Sequence, residues 1–172
     1  AFGAIGSIAL NAVRKLNPQI NENVVIYGTG LIGLMALLML RLTGAKTICF
    51  DLNEARLEKA LQMGADKVFV SGDGRVEKEL DYLTSGHGAD AVIIAAASGN
   101  PAIINEALRL LRPGGKIVLL GKTPINIDYN LAFRKDITFL ISRSYGPGRY
   151  DPRYEERGTD YPFEYVRWTE GR

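Results

Sequence analysis

The sequence predicts an α/β fold in which helices cover both faces of a doubly wound, six-stranded parallel sheet. Three observations support this prediction. Short apolar runs alternate with segments of helical period, the runs are nearly all apolar, and a glycine-rich turn follows the first run. Parallel strands that are covered on both faces have this continuous apolar pattern. The 172 residues are enough for one well-buried domain and short for two.

The predicted elements alternate from the start of the chain. Residues 3–16 have a helical period and form a lead-in helix, which Asn17-Pro18 closes. The predicted strands are residues 23–27, 46–50, 67–70, 91–95, 116–120 and 137–141. The predicted helices that follow the lead-in helix are residues 31–43, 53–63, 76–83 and 101–111, with a single helical turn at 131–134. Arg112-Pro113-Gly114-Gly115 is expected to turn the chain into the fifth strand.

The C-terminal segment has a different composition. From Ser142 onward the chain is rich in tyrosine, arginine, glycine, proline and acidic residues and has little apolar periodicity. We expect an irregular, extended tail that lies over the edge of the sheet, with tyrosines and Trp168 as amphipathic anchors. The alternative is that this tail contacts a substrate, another domain or another subunit.

Charge, cysteine content and hydropathy argue against several classes of protein. The net charge of +2, without a basic block, gives no reason to expect nucleic acid. The single cysteine, Cys49, lies in a predicted buried strand, which excludes a disulfide framework and favours a reducing, cytoplasmic compartment. The most apolar window, residues 31–42, is too short to cross a membrane, and we expect no signal peptide. The chain starts without methionine inside a predicted helix, so we expect it to be an excised piece.

The glycine-rich turn has the GxGxxG spacing of a dinucleotide-binding turn and reads Gly28-Thr29-Gly30-Leu31-Ile32-Gly33. The first glycine permits the sharp turn, the second lets the backbone approach a pyrophosphate, and the third allows close packing of helix on sheet. The phosphates would bind the free N–H groups at the helix N-terminus. Because a strand precedes the motif and a helix follows it, we predict a Rossmann dinucleotide site, against the alternative of a purely structural turn.

Asp51 lies 23 residues after Gly28, close to the spacing of the carboxylate that accepts hydrogen bonds from an adenosine ribose. A carboxylate there repels a 2′-phosphate, so the predicted cofactor is NAD rather than NADP. Leu52 and Asn53 follow it in the same loop, and Arg56 could face the same ribose or the adenine. The alternatives are a turn or helix-capping role for Asp51 and a solvated position for Arg56.

Ligands of doubly wound folds bind where the carboxyl ends of the strands meet at the reversal of strand order. By that rule the cofactor cleft also contains residues that follow the fourth and fifth strands, namely Ala96, Ala97, Ser98, Gly121 and Lys122. The alternative is that they are ordinary loop residues. The single histidine, His87, falls at the opposite edge and is expected to be an exposed loop residue. The sequence contains no zinc spacing, hard-metal cage or nucleophile elbow, so we predict no catalytic residue and no metal ligand.

Four motifs follow one another along the chain: the glycine turn with Asp51, Met63-Gly64-Ala65-Asp66, Gly88-Ala89-Asp90-Ala91-Val92-Ile93, and Arg112-Pro113-Gly114-Gly115-Lys116-Ile117-Val118. In this order they resemble the cofactor domain of medium-chain dehydrogenases/reductases, the zinc-type alcohol and threonine dehydrogenase superfamily. The resemblance implies an NAD-binding Rossmann domain at residues 1–145, with residues 1–20 as lead-in, and a tail at 146–172 that is a remnant of the catalytic-domain portion.

The resemblance also implies what lies outside the chain. The parent would be an NAD-dependent alcohol, polyol or sugar-type oxidoreductase whose substrate domain is absent here, so that this chain alone is inactive. Zinc-dependent members have a cysteine or glutamate ligand at or just before the lead-in helix. Residues 1–6 offer neither, which puts catalytic zinc in doubt. By analogy, backbone near Gly121 and at residues 142–144 would hold the nicotinamide, and strand six would pair across a homodimer.

Residues 142–152 and 165–168 further resemble a subgroup in which such a unit is fused to a second, sugar-type oxidoreductase module, which suggests carbohydrate or cell-surface polysaccharide chemistry. Two other classes use similar turns. An S-adenosylmethionine methyltransferase is disfavoured by the lack of an acidic residue in the first strand and of a reversed hairpin near strand six. A non-catalytic dinucleotide-sensing domain fits poorly with the lead-in helix and the tail.

Overall fold

A computed structural model describes residues 3–72, 76–97, 99–146 and 148–161. Strands and helices alternate along these residues. The strands are β1 (Asn23–Tyr27), β2 (Lys46–Asp51), β3 (Lys67–Val70), β4 (Ala89–Ile94), β5 (Leu111–Leu119) and β6 (Thr138–Ile141). The helices are α1 (Gly3–Leu16), α2 (Leu31–Leu42), α3 (Glu54–Gln62), α4 (Val76–Leu83), α5 (Ala102–Leu110), α6 (Tyr129–Arg134) and α7 (Pro152–Glu155).

The six strands form one sheet in the order β3-β2-β1-β4-β5-β6, and every neighbouring pair is parallel. This confirms the predicted doubly wound, six-stranded Rossmann sheet. The strand order reverses between β1 and β4, so a crevice is expected at their carboxyl ends. The parallel pairing of β6 with β5 also removes the reversed hairpin that a methyltransferase would require.

The sheet separates two apolar cores. Helices α1, α2 and α3 contribute to one core, whereas α4 and α5 contribute to the other. Successive side chains of β1 alternate between them: Val24 and Ile26 lie in the first core, and Val25 and Tyr27 lie in the second. Because both faces of this central strand are buried, its sequence is apolar at every position but the first, and it was predictable from that run.

The start of β5 differs from the prediction. Residues 112–115 were expected to form a turn, but β5 begins at Leu111 and includes them, with a break in register against β4 between Ala89 and Ala91. Arg112 donates from Nε to Asp90 Oδ1 at 2.6 Å, which ties the irregular segment to β4. A β-carbon at Gly115 would lie 2.9 Å from the carbonyl oxygen of Arg112, and Gly114 has a φ of +72°. The two glycines therefore allow the irregular backbone inside the strand.

The tail is less extended than expected over its described part. Residues 152–155 form the single helical turn α7, which Asp151 caps by accepting the N–H of Arg153. The extended prediction is therefore wrong at this turn, because a local Asp-Pro cap favours helix. Trp168, the expected anchor, lies outside the described residues. Along the described ranges, none of the helices combines the length and the apolar character that crossing a bilayer requires.

Candidate functional site

Backbone hydrogen bonds join the carboxyl ends of neighbouring strands at the predicted crevice. They run from Gly28 N to Phe50 O at 2.7 Å, from Ala96 N to Tyr27 O at 2.9 Å, and from Gly121 N to Ile94 O at 2.9 Å. The structure thereby brings the turn after β1 next to the segments that follow β4 and β5. Of the residues predicted to line the cleft, Ala97 and Lys122 are exposed, and Ser98 lies outside the described residues.

The three glycines of the turn have different reasons to be glycine. Gly28 has a φ of +92°, which other residues rarely adopt. A β-carbon at Gly33 would lie 1.9 Å from the carbonyl oxygen of Gly28, so α2 packs directly on the turn. Gly30 has an ordinary extended backbone, with φ of −69° and ψ of −175°. Among the described residues other than its two chain neighbours, none has a heavy atom within 4 Å of the position of its β-carbon. Neither its conformation nor its neighbours therefore require glycine at position 30.

The start of α2 presents free hydrogen-bond donors beside Gly30. The first helical bond runs from Leu34 N to Gly30 O at 2.9 Å. Within the described part of the chain, the N–H groups of residues 30–33 have no acceptor. They border a cleft of about 280 Å³ that is lined by Ile5, Ala95 and residues 30–33. Open space, free N–H groups and the positive end of the α2 dipole together form a place that suits a phosphate.

Asp51 lies at the end of β2 and is held by hydrogen bonds on both carboxylate oxygens. Its Oδ2 accepts the Thr29 N–H at 2.7 Å and the Thr29 hydroxyl at 3.0 Å. Its Oδ1 accepts the Asn53 N–H at 3.0 Å, and Arg56 Nη1 lies 4.0 Å from the same oxygen. Both sequence interpretations of Asp51 therefore have a structural basis, because the carboxylate faces the turn and also closes its own loop.

The electrostatic environment keeps Asp51 ionised. Burial by itself raises the pKa of this carboxyl. The hydrogen bonds from Asn53 and Thr29, together with the Arg56 guanidinium, outweigh that effect and hold the pKa below its ordinary value of 3.8. The site therefore carries a fixed negative charge at neutral pH.

The other predicted residues near Asp51 have distinct surroundings. Leu52 is 80% exposed, so an apolar side chain stands open beside the carboxylate. The Asn53 side chain accepts the Arg56 N–H at 3.2 Å and caps α3, as expected for its position. Arg56 is half exposed and faces Asp51, and Leu31 is exposed at the start of α2. The structure thus brings together residues 28–33 and 51–56.

Near the cleft, the sequence predicted Gly121 without its packing role and did not predict Thr123 or Asn11. Gly121 packs on the segment after β4, because a β-carbon there would lie 2.1 Å from the carbonyl oxygen of Ala96. Thr123, which is buried, donates its hydroxyl to the same oxygen at 3.3 Å. Asn11 of α1 donates to Ser142 Oγ at 2.9 Å and to Ser144 O at 3.1 Å, so it holds the segment after β6. Only a polar residue within an apolar helical period marked Asn11 in the sequence.

The remaining reactive side chains lie away from this cleft. Cys49 is fully buried, and burial raises the pKa of its thiol to about 12. It is protonated at neutral pH, as befits a small core residue. His87 is exposed near the amino end of β4. Across the described ranges, no three or more His, Cys, Asp or Glu side chains are grouped so that they could hold a metal ion.

The fold and the turn define a doubly wound α/β protein with a glycine-rich turn and free helix N–H groups at its strand-order reversal. Residues 32–157 match the model of one family, the zinc-binding dehydrogenases, and the chain belongs to that family. The medium-chain dehydrogenase resemblance drawn from the ordered motifs is thereby confirmed.

Known relatives and solved structures agree with this assignment. The chain is 32% identical over 150 residues to a probable D-xylulose reductase A of Aspergillus clavatus, covering 83% of this chain and 41% of that protein. It is 40% identical over 118 residues to an alcohol dehydrogenase of Cupriavidus necator, covering 68% of this chain and 32% of that protein. It also resembles the structure of a short chain alcohol dehydrogenase from Escherichia coli CFT073 complexed with the cofactor NADH, with a TM-score of 0.74 and 25% identity over 91% of this chain and 47% of that one. The chain thus spans less than half the length of these proteins.

Proposed function

We propose that this chain is the NAD-binding domain of a medium-chain oxidoreductase that acts on an alcohol, polyol or sugar. The observation that carries the proposal is Gly30, which neither its backbone conformation nor any described neighbour requires to be glycine and which lies at the four free N–H groups of residues 30–33. A missing side chain at that point is explained by a ligand that approaches the backbone closely. The relatives named above are oxidoreductases, and one solved neighbour holds NADH.

Each part of the site has a role in this proposal. The N–H groups of residues 30–33 bind the pyrophosphate, and Asp51 accepts a hydrogen bond from the adenosine ribose. Backbone near Gly121 and Ser142 orients the nicotinamide end. When bound, the nicotinamide accepts or delivers a hydride. The residues of this chain bind and orient it, and the groups that hold the substrate belong to the portion of the parent that this chain lacks.

The charge at Asp51 favours NAD over NADP. The carboxylate is 8% exposed and ionised, so a 2′-phosphate placed against it would meet a like charge in a partly desolvated position. Arg56 Nη1 at 4.0 Å offsets only part of that repulsion, because its side chain is 58% exposed and screened by solvent. The ribose hydroxyls of NAD can instead donate to Oδ1.

Isothermal titration calorimetry of the 172-residue chain with NAD and with NADP tests this function. We expect NAD to bind about tenfold or more tightly than NADP, a difference of at least about 1.4 kcal/mol. S-adenosylmethionine serves as the control ligand, since it has no pyrophosphate and should bind neither as tightly nor at the same turn. Tighter binding of NADP, or no binding of either dinucleotide, contradicts the proposal.

We propose homodimerisation through β6 as part of the same function. This strand hydrogen-bonds to β5 on one side and forms the edge of the sheet on the other. Ile141 at its end is 56% exposed, and an open apolar strand edge is suited to pairing with a second strand. Sedimentation velocity should show a dimer at micromolar concentration. Phe139→Pro, which removes one backbone donor from the strand, should shift the chain to monomer, and a wild-type chain that remains monomeric at 100 µM contradicts this proposal.

A further inference from the structure

Thr29 directs its side chain at Asp51 rather than at the open cleft. The side chain is 1% exposed, and its hydroxyl donates to Asp51 Oδ2 at 3.0 Å while its own N–H donates to the same oxygen at 2.7 Å. Two donors from one residue therefore occupy Oδ2. An ionised carboxylate offers about two acceptor sites on each oxygen, so Oδ2 is saturated.

The second oxygen remains available. Oδ1 accepts one hydrogen bond, from the Asn53 N–H, and faces the half-exposed Arg56. One acceptor position on Oδ1 is therefore left for a ligand hydroxyl. The hydroxyl of Thr29 restricts the tilt of the carboxylate plane, because without this third hydrogen bond only the N–H groups of Thr29 and Asn53 hold Asp51.

We propose that Thr29 is a positioning residue that sets cofactor specificity: its hydroxyl locks the Asp51 carboxylate so that Oδ1 receives the adenosine ribose and the charge cannot move away from a 2′-phosphate. This inference rests on the proposed NAD-binding function. It assigns the residue between the first two glycines a task distinct from phosphate binding, since both of its donors are already used on Asp51.

The chain contains a second threonine–aspartate pair with the same hydrogen bonds, at the amino ends of the strands rather than at their carboxyl ends. Asp66 Oδ2 accepts the Thr47 N–H at 2.7 Å and the Thr47 hydroxyl at 3.1 Å, the same arrangement as at Asp51. Thr47 is fully buried near the amino end of β2, whereas Asp51 ends that strand. Removing the Thr47 hydroxyl therefore removes a hydrogen bond of the same geometry, here to an exposed aspartate, without touching the proposed ribose site.

The test measures the dissociation constants of NAD and NADP by calorimetry for wild type, Thr29→Val, Thr29→Ser and Thr47→Val. Loss of one hydrogen bond to a charged group changes an equilibrium by about tenfold, so Thr29→Val should weaken NAD by about that factor. NADP should be weakened less, because a carboxylate held by two hydrogen bonds rather than three can tilt away from the phosphate, and the preference for NAD should fall by about fivefold to tenfold. Thr29→Ser should retain the preference, and Thr47→Val should leave it unchanged.

The outcomes separate this inference from the function on which it rests. An unchanged ratio in Thr29→Val, or an equal change in Thr47→Val, overturns the role of Thr29 while NAD binding stands. A wild-type chain that binds no NAD overturns the proposed function itself. If Thr29→Val does not fold, Thr29→Ala replaces it.

An NMR titration of the Asp51 carboxyl carbon gives a readout without nucleotide. The pKa of Asp51 should rise in the variant that lacks the hydroxyl and stay low in Thr29→Ser, and an unchanged pKa contradicts the proposed role of the hydroxyl.

Discussion

Replacing Gly30 with alanine is expected to weaken NAD binding by about a hundredfold, which corresponds to about 2.7 kcal/mol, and to leave the fold intact. The β-carbon would occupy the space through which, in the proposed function, the pyrophosphate reaches the N–H groups of α2. Apart from residues 29–31, no described residue has an atom within 4 Å of that carbon, and the φ of −69° is open to alanine. Stability should therefore change by only about 1 kcal/mol or less, the cost of a poorer helix cap.

Calorimetry with NAD and urea denaturation of the same protein measure the two effects together. Gly6→Ala is a suitable control, since its β-carbon also meets nothing within 4 Å but lies within α1. That control should keep its affinity for NAD and gain up to about 1 kcal/mol of stability from helix propensity. Wild-type affinity in Gly30→Ala would show that no ligand approaches the backbone at this position.

Replacing Gly33 with alanine, in contrast to Gly30→Ala, is expected to cause a large loss of stability. The new β-carbon would lie 1.9 Å from the carbonyl oxygen of Gly28 and 3.0 Å from its carbonyl carbon, both of them backbone atoms. Gly33 is a buried residue in the first turn of α2, so the helix would have to move away from the glycine turn to make room. We expect a loss of about 3 kcal/mol, at the upper end of overpacking effects and larger than the gain of about 1 kcal/mol in helix propensity.

The midpoint of urea denaturation, compared between Gly33→Ala and Gly30→Ala, measures this difference. Both variants add one methyl group to the same turn, so the comparison isolates the neighbours of each glycine. If the two proteins unfold at the same urea concentration, the packing of α2 on the turn does not limit stability. NAD binding by Gly33→Ala is informative only below its unfolding transition.

The strands and most helices could be predicted because each carries its environment in its own residues. The apolar run of β1 reflects burial on both faces, and Asn53 marks the start of α3 because its side chain can cap it. Prediction was poorer where a long-range pairing overrides a local signal. Residues 112–115 have the composition of a turn, yet β5 continues across them because Leu111 and Lys116 on either side pair with Ala89 and Ala91 of β4.

The candidate site divides in the same way. The spacing of residues 28–33 and Asp51 predicted the position of the turn and of the carboxylate, because both follow from where strands end. The partner of Thr29 and the neighbours of Gly121 could not be predicted, since Thr29 and Asp51 are 22 residues apart and meet only when β1 and β2 pair. Asn11 and Ser142 are 131 residues apart and meet only across the finished fold.

By itself, the sequence determined the α/β class, the alternation of strands and helices, and the place where the glycine turn and its acidic partner would lie. These depend on periodicity and on local backbone freedom, which single stretches of chain contain. Only the tertiary structure decided which glycine is needed for packing and which leaves room for a ligand, and which oxygen of Asp51 remains free. Those properties belong to the distances between separate segments, and the packing of the sheet and its helices sets those distances.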